Sequence, residues 1–169
     1  MLTTILKFLK ALNANTNPSE IAHAACLGVM LGFMPKNNVL WYLILVFFLF
    51  VRINKPFQAI TIIIVSQFAW HLDPFFDHIG YAILNMDQFV SIFAKLIDIP
   101  FVGFTKLNNT IVMGSFAFSL AIYIPLFIIF RVLIMLWRRY VSPFLIKTPL
   151  VKHIVGTPLV GKLSEIDFE

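Results

Sequence analysis

Apolar residues fill this chain in runs, and the short polar breaks between the runs set its organisation. From Ser19 to Pro56 it reads SEIAHAACLGVMLGFMPKNNVLWYLILVFFLFVRINKP, with apolar runs Ile21–Met34 and Val39–Val51 around the polar knot Pro35-Lys36-Asn37-Asn38. As helices the runs are roughly 21 and 20 Å long, whereas a hydrocarbon core is about 30 Å thick. Neither spans alone, so residues 21–51 predict a re-entrant helical hairpin. Non-helical backbone at membrane depth survives only where protein or a water-filled cavity covers it. The competing reading is a single broken, tilted span.

The remaining elements follow from the same pattern. Residues 1–12 place Leu2, Ile5, Leu6, Leu9 and Leu12 at helical spacing opposite Lys7 and Lys10, an interfacial amphipathic helix. Those lysines break the uninterrupted apolar core that a signal peptide needs. After the polar break at Asn13–Asn17, Pro18, Ser19 and Glu20 start a helix. Its small residues Ala22, Ala24, Ala25, Gly28 and Gly32 form one face, and Gly28-x-x-x-Gly32 permits close packing, expected against Val39–Val51. Residues 56–72 predict a span. Residues 86–98 predict an amphipathic helix with Phe89, Val90, Ile92, Phe93, Leu96 and Ile97 on its apolar side. Residues 110–137 predict a second full span, kinked at Pro125 and anchored by Arg131, Trp137, Arg138 and Arg139. Residues 141–169 form a basic tail punctuated by proline, in which Thr-Pro-Leu-Val occurs at Thr148 and Thr157. The fold class is therefore an all-α membrane protein with one membrane domain over residues 1–140. It comprises an N-terminal interfacial helix, a re-entrant hairpin, and two full transmembrane spans with an amphipathic segment between them.

Composition agrees. Of 169 residues, 60% are hydrophobic and 12% charged, with a mean hydropathy of +0.90. Soluble domains are nearer half apolar and a quarter charged. No alternating strands suggest a β-barrel, and the single cysteine, Cys26, gives no disulfide framework. The net charge of +5 gathers at helix ends and in the tail, which marks topology and not a nucleic-acid patch. Lys7 and Lys10 precede the hairpin, and Arg52 and Lys55 follow it. If both clusters are cytoplasmic, the hairpin enters and leaves by one face. No Lys or Arg occurs from Pro56 to Ala94, which puts that segment outside, and Arg138 and Arg139 return the chain. Lys95 and Lys106 sit against this rule. The expected location is a bacterial inner membrane, with both termini cytoplasmic.

The order Gly28, Gly32-Phe33, Pro35, the apolar run to Val51, and Arg52-Ile53-Asn54-Lys55-Pro56 resembles a family of small bacterial inner-membrane proteins called domain of unknown function 2062. The resemblance covers roughly Ser19 to Leu84. Gln67-Phe68 stands where that family tends to carry Asn-Pro. The resemblance implies membrane class and architecture and brings no activity.

The chain holds no H-E-x-x-H, Walker A loop, G-x-S-x-G or Cys/His metal spacing, so no catalytic residue, metal ligand or cofactor is assigned. His71, Asp73, Asp77 and His78 could converge on a metal or act as an acid–base pair, but Pro74 interrupts any regular helical face there, and they read as a solvated interface segment. His23, Lys36, Asn37 and Asn38 are costly in hydrocarbon and so are functional candidates. The candidate site for an anionic headgroup is Lys36, Asn37 and Asn38 at the hairpin tip, with Arg52, Asn54 and Lys55 at its mouth. Gly28, Gly32 and Pro35 are expected to shape the hairpin. The tip adds a helix N-terminus, and Arg and Lys suit phosphate. The alternative is that Lys36 snorkels and the amides close the turn. Two functions follow: translocation or binding of an anionic lipid or lipid carrier, or a non-catalytic scaffold for a larger envelope protein. Expected partners are the lipid bilayer and either a second copy or that envelope protein, with no nucleic acid.

Overall fold

The computed structural model describes residues 17–141. The expected interfacial helix at 1–12 and nearly all of the basic tail lie outside them. The described residues are helical, with no strand among them: α1 (Pro18–Phe33), α2 (Val39–Leu49), α3 (Lys55–Phe68), α4 (Asp73–Leu84), α5 (Asp87–Ile97), the single turn α6 (Pro100–Gly103) and α7 (Thr110–Leu136).

Asparagine starts four of these helices. The side chains of Asn17, Asn38, Asn54 and Asn109 accept the backbone N–H of Ser19, Trp41, Phe57 and Val112. Each fills one of the unpaired donors at a helix N-terminus. Pro18 and Pro56 occupy first-turn positions, where a missing N–H costs nothing. Pro74 does the same in α4, so it does not interrupt the chain as its sequence suggests. A 3₁₀ turn at Ala69–Leu72 links α3 to α4. Lys55–Leu84 therefore forms a 30-residue helical stretch that continues past the expected end at Leu72. It and Thr110–Tyr140, 31 residues, are long and apolar enough to cross a membrane. Pro125 lies inside α7, which runs on into a π-helical turn at Trp137–Val141.

The core is α1. Eleven of its sixteen residues are buried, as expected of a helix that is apolar all round. It packs on α3 and α7. Gly28 and Gly32 face α3: a Cβ on either would stand 2.6 Å from the Cβ of Thr61 or Val65. This corrects the expected pairing of the glycine face with Val39–Val51. α2 is strongly apolar but buries only Trp41 and Phe48, whereas α3 offers short branched side chains at a four-residue spacing that matches the glycines. α7 runs antiparallel to α1, bringing Phe118 near Phe33, Tyr123 near Cys26 and Phe127 onto His23. α4 crosses α7 with backbones in contact, since a Cβ on Gly80 would strike the carbonyl of Thr110 and one on Gly114 that of Phe76. α5 buries none of its residues. Large apolar side chains also stay exposed on α2 (Val46, Phe47), α3 (Ile63, Ile64) and α7 (Ile124, Ile128). Soluble monomers rarely expose such extended apolar surface.

Candidate functional site

α1 and α2 close into a hairpin at both ends. At the mouth, Arg52 Nε lies 3.8 Å from Glu20 Oε1, with Arg52 95% exposed. Near the turn, the buried indole of Trp41 donates to the Leu31 carbonyl at 2.8 Å. That bond satisfies one of the last four carbonyls of α1, which have no partner within the helix.

The six candidate binding residues separate into two groups. Lys36, Asn37 and Asn38 lie at the turn, and Arg52, Asn54 and Lys55 lie at the mouth. The turn shares a cavity with Ser66, Ala69, Trp70 and Asp73, so it sits level with the end of α3. From Lys55 to Ala69 is about 21 Å along the helix. No single ligand headgroup touches both groups.

Two of the six have structural work. Asn38 is buried, accepts the Trp41 N–H at 2.8 Å and donates to the Pro35 carbonyl at 2.5 Å. Asn54 caps α3 at 3.0 Å. The helix N-terminus expected to greet an anion is also largely consumed, because the Val39 N–H bonds the Phe104 carbonyl at 3.0 Å and the Trp41 N–H bonds Asn38. Lys36 and Asn37 remain exposed at the turn, and Lys55 at the mouth. Pro35 holds the chain extended after Met34 and ends α1.

Lys36 and Asp73 line the same cavity, about 260 Å³ in volume, together with Trp70 and Ser66. The sequence pattern did not bring Trp70 and Asp73 to the turn, because they lie 34 and 37 residues after Lys36 in the chain and only the fold brings them together. A larger groove, about 480 Å³, is lined by Leu27, Met30, Ile44, Phe47 and Tyr123, and its walls are almost wholly apolar. It offers no cation for a headgroup.

His23 lies within one helical turn of Glu20, near the mouth, on the side that meets α7. Its Nδ1 is 2.8 Å from the Tyr123 hydroxyl, and its ring stacks on Phe127 with centroids 4.3 Å apart. Its Nδ1 is therefore satisfied between α1 and α7. The acidic segment does not converge either: Asp77 accepts from the Thr110 hydroxyl, His78 Nδ1 meets the Pro74 carbonyl and His71 lies against Trp70. Among the described residues no three His, Cys, Asp or Glu side chains are grouped to hold a metal ion.

The chain is 29% identical over 143 residues to an uncharacterised protein of Treponema pallidum (strain Nichols), covering 85% of this chain and 88% of that one. No family model matches the chain, and no solved structure matches it.

Proposed function

We propose that this is a multi-pass protein of a bacterial inner membrane, in which the α1–α2 hairpin is re-entrant from the cytoplasmic face and presents Lys36 to an anionic lipid headgroup. The observation that carries the reading is the closure of the hairpin mouth by Glu20 and Arg52. With those residues at one face, the turn lies about 21 Å along α3, short of the roughly 30 Å of a hydrocarbon core. Lys36 and Asn37 are then polar groups at depth, covered on one side by α3 and the start of α4. The Arg52 and Lys55 charges would gather phosphates at the cytoplasmic headgroup level, and Lys36 would receive one partway across. The resemblance to domain of unknown function 2062 belongs to the same proposal and adds no activity to it.

A headgroup-flipping assay in liposomes tests this. The double variant Lys36→Leu, Asn37→Leu is expected to abolish the flipping catalysed by the wild-type protein. Equal flipping by both removes the turn from the mechanism. Absence of flipping by the wild-type protein favours the second reading, a membrane scaffold for a larger envelope protein. The observation behind that alternative is α5, an amphipathic helix with no buried residue.

A further inference from the structure

We infer that the ligand of the hairpin turn is a zwitterion carrying a phosphate and a primary ammonium, as phosphoethanolamine does, held between Lys36 and Asp73; this rests on the proposed headgroup site and replaces its anionic headgroup with one that also carries a cation. Both side chains line one cavity, yet they form no direct ion pair with each other. A bare anion drawn to Lys36 would face the Asp73 carboxylate, and a bare cation drawn to Asp73 would face the Lys36 ammonium. At the membrane depth proposed for the turn each mismatch is expensive. A ligand with both charges answers both walls, in the manner of any electrostatically complementary interface.

The rest of the lining agrees with an ammonium on the Asp73 side. Trp70 and Asp73 are three residues apart across the 3₁₀ turn and its junction with α4, and in a 3₁₀ turn residues at that spacing stand above one another. The Trp70 indole N–H is already given to the Gln67 carbonyl at 3.1 Å and His71 lies against one face of the ring, so the opposite π face is the one that can attract an ammonium group. Ser66 gives its hydroxyl proton to the Ile62 carbonyl at 2.6 Å and keeps lone pairs for a donor. The volume, about 260 Å³, lies below the roughly 300–1,000 Å³ of pockets for drug-sized molecules. It fits a headgroup and not a whole lipid.

The test is retention of lipid by the full-length protein. Protein reconstituted in nanodiscs of equal phosphatidylethanolamine, phosphatidylglycerol and phosphatidylcholine is extracted, and its bound lipid is counted by native mass spectrometry. Phosphatidylethanolamine is expected to be enriched. Lys36→Gln and Asp73→Asn should each lower that enrichment about tenfold, the loss of one charge-assisted hydrogen bond. Asp73→Glu should restore it, which separates charge from a folding defect. Competition by free phosphoethanolamine distinguishes a soluble ligand from the lipid, with the same two charges read in either case. Enrichment of phosphatidylglycerol that is insensitive to Asp73→Asn overturns the zwitterion and leaves the anionic headgroup reading standing. No enrichment of any headgroup overturns both.

Discussion

Gly114 has no room for a single added carbon. A Cβ there would land on the Phe76 carbonyl and lie 2.9 Å from the Gly80 nitrogen, so α4 and α7 would have to part along their whole contact. Overpacking costs typically about 1–3 kcal/mol where side chains can give way, and backbone cannot. Gly114→Val is therefore expected to lose at least about 3 kcal/mol, seen as a lower midpoint in thermal unfolding of the detergent-solubilised protein. Gly103→Ala is the control, because its Cβ would meet one carbonyl at an ordinary 3.7 Å. Equal midpoints for the two variants would mean that the helices do not cross at Gly80 and Gly114. Asn38 teaches the same lesson for polar residues. An amide in the middle of an apolar stretch advertises a site, but here it bonds Trp41 and Pro35 and closes the turn.

At the scale of the element, the α1–α2 hairpin depends on few polar bonds. Trp41→Phe keeps an aromatic side chain, though a smaller one, and removes the donor to Leu31, leaving a buried carbonyl unpaired. The expected cost is about 1–3 kcal/mol, read from the same unfolding midpoint. An unchanged midpoint would show that the hairpin is held without this bond. Helix type and most boundaries were legible in the sequence, since apolar runs, Pro at first turns and Asn before the runs are local signals. The partner of the glycine face was not. Gly28 and Gly32 announce close approach, but whether α2 or α3 approaches depends on Thr61 and Val65 presenting short branched side chains in register. The Gly80–Gly114 crossing was half hidden, because Thr110-x-x-x-Gly114 carries a small-x-x-x-small pattern, whereas Gly80 has Phe76 and Leu84 four residues to either side. At the candidate site, Lys36 and Asn37 could be picked out as polar groups in an apolar setting. Asp73 and Trp70 could not, because only the course of α3 brings them to the turn.

At the scale of the whole molecule, the proposed topology is tested by cysteine labelling in intact cells and inverted vesicles, on a Cys26→Ala background. Asn54 caps α3, so the mouth probe belongs at exposed Lys55, with others at Asn37 and Asp77. Lys55 is expected to label from the cytoplasm, Asp77 from outside and Asn37 only with a small permeant reagent. Labelling of Lys55 from outside would make 21–51 a broken span and end the headgroup reading. The central position of α1 also bears on how the protein is made. His23 and Tyr123 are 100 residues apart. At about 5–20 residues per second of synthesis, α1 therefore waits roughly 5–20 s for the helix that covers it. During that delay its earliest neighbour is α2, tied to it at Trp41 and Arg52. The bonds at Trp41 and Arg52 are therefore the first tertiary contacts open to α1, before α3 and then α7 replace solvent or lipid around it.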